Sequence, residues 1–138
     1  MLRSAAKVLD ESETLVGSIE ARARLAEISV VAGEIEAAAA SLQEARALER
    51  SLGETPFTAL LDRVELTLAV ASGDEPRAVA ALDDALARAR GVGAKYDLLL
   101  LLALAEHLGF ADGAAERDEL ARELGVVDLV ALAGLRPV

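Results

Sequence analysis

Two stretches, Val30-Val31-Ala32-Gly33-Glu34 and Val70-Ala71-Ser72-Gly73-Asp74, decide how this chain folds, because the second repeats the first 40 positions later. The echo continues outward. Ala38, Leu42, Ala45, Arg50 and Gly53 return as Ala78, Leu82, Ala85, Arg90 and Gly93, every one at the same offset of 40. A fixed period of this length marks a helical supersecondary unit that buries its apolar side against the next copy. Gly33 and Gly73 stand where a helix must stop, since glycine takes a left-handed cap without steric cost. Asp74 then reads as an N-cap with Pro76 just inside the following helix, and so short a turn forces an antiparallel hairpin.

Stepping 40 positions back from Leu42 and Ala45 reaches Leu2 and Ala5, so the chain reads as starting within the second helix of an earlier hairpin, as a fragment of a longer protein would. A third copy is degenerate. Gly109, Asp112 and Ala114 keep the spacing, but Asp118 replaces the expected leucine, which makes a polar terminal cap of the kind a stack of repeats needs. The spacing predicts helices at about 2–12, 17–32, 35–52, 56–72, 75–90, 95–108 and 113–124, and a short turn at 128–133. These divide one domain, 1–138, into a partial repeat 2–16, repeats at about 17–53, 56–93 and 95–125, and a C-terminal cap 126–138.

Composition narrows the function classes. The 138 residues are 54% hydrophobic but only 2% aromatic, so the core must be built from Leu, Val, Ile and Ala, which are also good helix formers. The formal net charge of -10 opposes contact with phosphate backbones or anionic lipid, both of which need clustered Lys and Arg. There are no cysteines, hence no disulfide, thiolate nucleophile or Cys-based zinc site, which fits a reducing cytoplasm. No apolar leader core follows Met1, and the longest apolar run, Leu98 to Ala105, is far shorter than the roughly 20 residues of a membrane span. It reads as a buried helix, apolar nearly all round, with a face to spare for a second copy of the chain.

Candidate chemistry is thin. His107 is the single histidine and lacks a His-Glu-x-x-His partner, so a structural or groove-rim role is the better account. Gly91-Val92-Gly93-Ala94-Lys95 superficially matches a phosphate loop, yet it follows a helix rather than a strand and lacks Gly-Lys-Ser/Thr, which makes it a connector. Asp83-Asp84 and the run Asp10, Glu11, Glu13 do not converge, because neighbours on a helix point about 100° apart. No nucleophile and base pair can be nominated, and no cofactor or metal is expected.

The Gly-Asp turn followed by spaced Ala and Leu, carried by Gly33, Ala38, Leu42 and Ala45 and again by Gly73, Asp74, Ala78, Leu82 and Ala85, resembles the tetratricopeptide repeat in its longer, 40-residue form. That form occurs in the C-terminal regions of bacterial signal-transducing ATPases, cyclase-linked regulators and maltose-activator-type regulators. The family's early aromatic positions are missing and Arg50 and Arg90 replace its closing proline. The resemblance implies an all-α fold of antiparallel hairpins stacked into a right-handed superhelix, and a non-catalytic protein-interaction or regulatory scaffold. It also implies a concave groove lined by the first helix of each hairpin, which here offers Glu20 and Glu27, then Arg63 and Thr67, then Tyr96, Glu106 and His107. The expected partner is a protein, a peptide or another domain of the same parent chain, and the alternatives are a homo-oligomerisation module or a small-molecule sensor. A clamp for a C-terminal carboxylate is excluded, since Ala23 and Glu27 stand where a cation and an amide are required. Substitutions at Glu27, Arg63 or Tyr96 are expected to weaken partner binding while leaving the fold intact.

Overall fold

The computed structural model describes residues 2–53 and 55–125, the first dozen by backbone alone. They are all-α. Six helices follow one another: α1 (Leu2–Val31), α2 (Ile35–Leu52), α3 (Thr58–Ala71), α4 (Glu75–Val92), α5 (Lys95–His107) and α6 (Ala114–Leu124). Each helix packs on its neighbour in sequence, and α3 also packs on both α1 and α5. α3 therefore lies between α1 and α5, while α2 lies against α1 and α3, and α4 against α3 and α5.

The turns repeat as the sequence repeats. Gly33, Gly73 and Gly109 take φ of 79°, 83° and 97°. At each, the next residue's N–H reaches back across the helix end: Glu34 donates to the Ser29 carbonyl, Asp74 to Ala69 and Phe110 to Ala105, at 2.8, 2.8 and 2.9 Å. Such bonds satisfy carbonyls that the last helical turn leaves open. The Asp74 side chain accepts from the Arg77 N–H at 3.3 Å, and Pro76 occupies the first turn of α4, the start signal expected there. Equivalent side chains share equivalent surroundings, since Ala38, Leu42 and Ala45 are buried and so are Ala78, Leu82 and Ala85.

Two segments depart from expectation. Breaks were expected between 12 and 17, but α1 runs unbroken for 30 residues. The reason lies 40 positions before the connector Gly53 to Pro56, where Glu13-Thr14-Leu15-Val16 offers neither Gly nor Pro to end a helix. Gly17 alone costs about 1 kcal/mol within a helix and cannot break it. The second departure is α4, which continues to Val92 because Gly93, not Gly91, adopts the left-handed cap at φ 69°. The turn expected at 128–133 and the cap 126–138 lie outside the described residues.

The core is aliphatic. Ile19, Ala23, Ala26, Leu42, Ala45, Leu60, Leu61 and Val64 join α1, α2 and α3, and a second cluster extends from Leu66 and Ala69 through α4 and α5 to Leu120. Every residue from Leu98 to Ala105 is buried, with α3, α4 and α6 packed around α5. The face expected to be spare there is thus covered by the chain itself. In α6 only Leu120 is buried and Asp118 is exposed, as a polar cap requires. No helix among the described residues is long and apolar enough to cross a membrane.

Candidate functional site

α3 is the middle helix, and its apolar sequence Ala59-Leu60-Leu61 and Val64 is interrupted by two adjacent charges, Asp62 and Arg63. Both are buried, at 4% and 2% exposed. Neighbours on a helix point about 100° apart, so each meets different helices. A buried charge is tolerated only when paired and hydrogen-bonded, and each finds its counter-charges.

Arg63 faces α1 and α5. Its Nη1 lies 2.5 Å from a Glu27 carboxylate oxygen and its Nε donates to Asp97 Oδ1 at 2.8 Å. The guanidinium carbon sits over the Tyr96 ring, 5.9 Å from its centroid, within range of a cation–π attraction. Among the described residues, Nη2 of Arg63 is the buried side-chain polar atom left without a hydrogen-bond partner. The positions 40 before and after Arg63 hold Ala23 and Ala103, both buried, so the large cation occurs in the middle unit between two small equivalents.

Glu27, Arg63 and Tyr96, expected on one groove from three separate helices, therefore come together. The other expected positions do not join them. Thr67 is buried and its hydroxyl donates to the Arg63 carbonyl one turn back, at 2.9 Å. Glu106 is drawn toward α6 by Arg117. His107 is exposed at the end of α5, and Glu20 is half-buried on α1. Because Arg63 is nearly inaccessible, its replacement acts on stability as well as on any partner, which revises the expectation that the fold would be untouched.

Asp62 faces α2 and α4. It accepts from Arg46 Nη2 at 2.8 Å and from Arg88 Nε at 2.7 Å. Arg46 also reaches Glu49 at 2.8 Å and Glu65 at 2.7 Å, and the Thr58 hydroxyl donates to Glu49. Burial works against the charge on Arg46, but its hydrogen bonds to Asp62, Glu49 and Glu65 outweigh that and raise its pKa above the usual arginine range. The hydrogen bond to Asp62 likewise raises that of Arg88. Above this network a cleft of about 480 Å³ opens between α2 and α4, lined by Arg46, Arg50, Asp62 and Arg88 among others.

Sequence reasoning missed Asp97 and the Arg46–Asp62–Arg88 bridge. The signal was available in part: two charges inside an otherwise apolar helix demand partners. Which partners answer depends on helix neighbours 16 to 36 positions away, and no local pattern encodes that. No nucleophile stands beside a base in either cluster; their groups are engaged in ion pairs. No family model, curated protein or solved structure matches this chain, so the site is read from its own geometry.

Proposed function

We propose that the chain is a non-catalytic interaction scaffold of the tetratricopeptide type, its hairpins stacked as a right-handed superhelix. The face where α1, α3 and α5 meet receives a segment of a protein partner or of another domain of a longer parent chain, in a bacterial signalling or transcription-regulatory role. One observation carries the reading: Glu27, Arg63 and Tyr96, each from a different odd helix, converge on a buried guanidinium whose Nη2 has no acceptor. The guanidinium itself is sealed from solvent, so what it does for a partner is to fix the half-buried Glu27 carboxylate and the Tyr96 ring at the surface. Tyr96, 40% exposed above it, supplies the aromatic anchor that interaction sites favour. Two carboxylates around one guanidinium give this face a local negative balance, and the whole chain carries -10, so the segment it suits is apolar and basic.

Selection of displayed random peptides on the immobilised protein tests this. Enriched sequences are expected to be apolar and basic, and to bind the Tyr96→Ala and Glu27→Gln variants at least about tenfold more weakly, the loss of roughly 1.4 kcal/mol that one anchor represents. Helix content measured on the same variants separates lost binding from lost fold. Enriched peptides that bind both variants as tightly as the wild type would refute the assignment of this face.

A further inference from the structure

The outer side of α1 is unlike the rest of the surface. From residue 14 onward its exposed positions are Thr14, Gly17, Ala21, Arg24, Leu25, Ile28 and Val31, and Ala32 follows directly. None is acidic, in a chain with 24 Asp and Glu. Leu25, Ile28 and Val31 are 53%, 65% and 60% exposed. At about 100° per residue, Ile28 lies on the side of α1 away from the buried Ile19.

The repeat identifies what kind of face this is. Forty positions on, Ala21 and Ile28 become Leu61 and Leu68 of α3, which pack into the cluster shared with α1 and α2. The Ala21 and Ile28 positions are thus packed by helices in the middle unit and open in the first, while the Leu25 position there holds the ion-paired Glu65 and the Ala32 position the exposed Ser72. The face of α1 is the more apolar and the more open of the two.

Its residue order favours one occupant. Ala21, Leu25, Ile28 and Ala32 are separated by four, three and four positions, small-large-large-small, and the series is the same read in either direction. A two-fold axis through the midpoint lays a second α1 antiparallel on the first, with Leu25 over Ile28 of the second copy and Ala21 opposite Ala32 of the second copy. A contact that pairs a surface with itself in this way is isologous and closes as a dimer. The terminal alanines let the two helices approach closely. Two chains of -10 repel, and a stripe free of carboxylates is where they meet at least electrostatic cost.

We propose that the protein forms an antiparallel homodimer through the Ala21-Leu25-Ile28-Ala32 stripe, which runs along the last turns of α1 into the turn that follows it, leaving the α1–α3–α5 face available. A single helix-to-helix contact stays below about 1,200 Å² in total, the class of weak, reversible interfaces, so association is expected at micromolar concentrations or above. It should strengthen as salt rises, because screening removes repulsion between like-charged copies.

The chain has no cysteine, so site-specific cross-linking reads the geometry directly. Ala21→Cys and Ala32→Cys proteins are mixed at roughly 100 µM, within that weak-association range, and mildly oxidised. The mixture is expected to yield a disulfide dimer joining the two different variants, several times more abundant than the product of either alone. In parallel, sedimentation equilibrium of the wild type should show monomer and dimer, with Ile28→Glu shifting the dissociation constant at least about tenfold, an anchor-sized loss. Ile28 is exposed, so helix content should not change. A wild type that stays monomeric, an Ile28→Glu protein that dimerises unchanged, or a mixture that cross-links no better than its components would overturn the proposal.

Discussion

Replacing Arg63 with methionine keeps an unbranched stem, though a shorter one, and removes the charge. In the native protein the guanidinium is 2% exposed and touches two carboxylates, Glu27 at 2.5 Å and Asp97 at 2.8 Å. At an effective dielectric near 20 each pair attracts by about 6–7 kcal/mol, while stripping water from the ions costs several kcal/mol apiece, so the intact triad is close to neutral in net terms. The methionine variant keeps the desolvation cost of both carboxylates and loses the attraction. Removing one partner of a buried pair typically costs about 3–5 kcal/mol. Glu27 and Asp97 remain 28% and 19% exposed, so water relieves part of the penalty, which places the expected loss near the lower end, about 3 kcal/mol. Urea unfolding followed by far-ultraviolet circular dichroism at neutral pH measures it as a lower midpoint with an unchanged slope. The triple variant Arg63→Met, Glu27→Gln, Asp97→Asn should recover at least half of that loss, because it leaves no unpaired charge behind. A single variant within about 1 kcal/mol of wild type, or a triple variant no more stable than the single, would refute the description of Arg63 as a buried cation held by two carboxylates.

Other substitutions test the repeat and its caps. Ala38→Leu and Ala78→Leu overpack equivalent fully buried sites and should destabilise by similar amounts, about 1–3 kcal/mol each; unequal losses in urea midpoints would deny the equivalence. Gly73→Ala forces a methyl onto a φ of 83° and should cost roughly 1–2 kcal/mol, whereas Gly17→Ala, inside α1 with nothing within 4 Å, should stabilise by about 0.5–1 kcal/mol in the same assay. The hydrogen bond from Arg90 holds the Glu116 carboxyl below its ordinary pKa of 4.5. Its contribution is therefore present above that value and lost as pH falls through the lower native one. Glu116→Gln should cost only tenths of a kcal/mol at neutral pH, since the pair is solvent-exposed, and the difference from wild type should shrink below pH 4.5.

The hairpin turns were legible because each rests on a local rule: glycine at positive φ, an aspartate cap, a proline in the first turn. The start and end of α2, at Ile35 and Leu52, follow from the glycines on either side, Gly33 and Gly53, since Glu34 makes no side-chain cap. The continuity of α1 was missed by extending the period past the point where Gly and Pro support it. Of the site, Glu27, Arg63 and Tyr96 were reached through the groove positions that the tetratricopeptide resemblance implies, and they stand at three different places in the 40-residue period. Asp97 and the Arg46–Asp62–Arg88 bridge escaped because ion pairing between helices is decided by side-chain reach, which no spacing rule carries. Thr67 and Glu106 had the right register but bonded to nearer partners, a backbone carbonyl and Arg117.

The back-to-back placement of Asp62 and Arg63 has a bearing on folding fidelity. A core of alanine and leucine is smooth, and helices with such surfaces can settle in several rotations at nearly equal energy. Turning α3 by one residue in one sense would carry the carboxylate of Asp62 toward the acids of α1 and α5, and turning it in the other would carry the guanidinium of Arg63 toward the arginines of α2 and α4. Either one-residue misrotation then sets like against like. The two charges thus work as a lock with a single admissible key, and its tolerance is one residue's turn of the central rod.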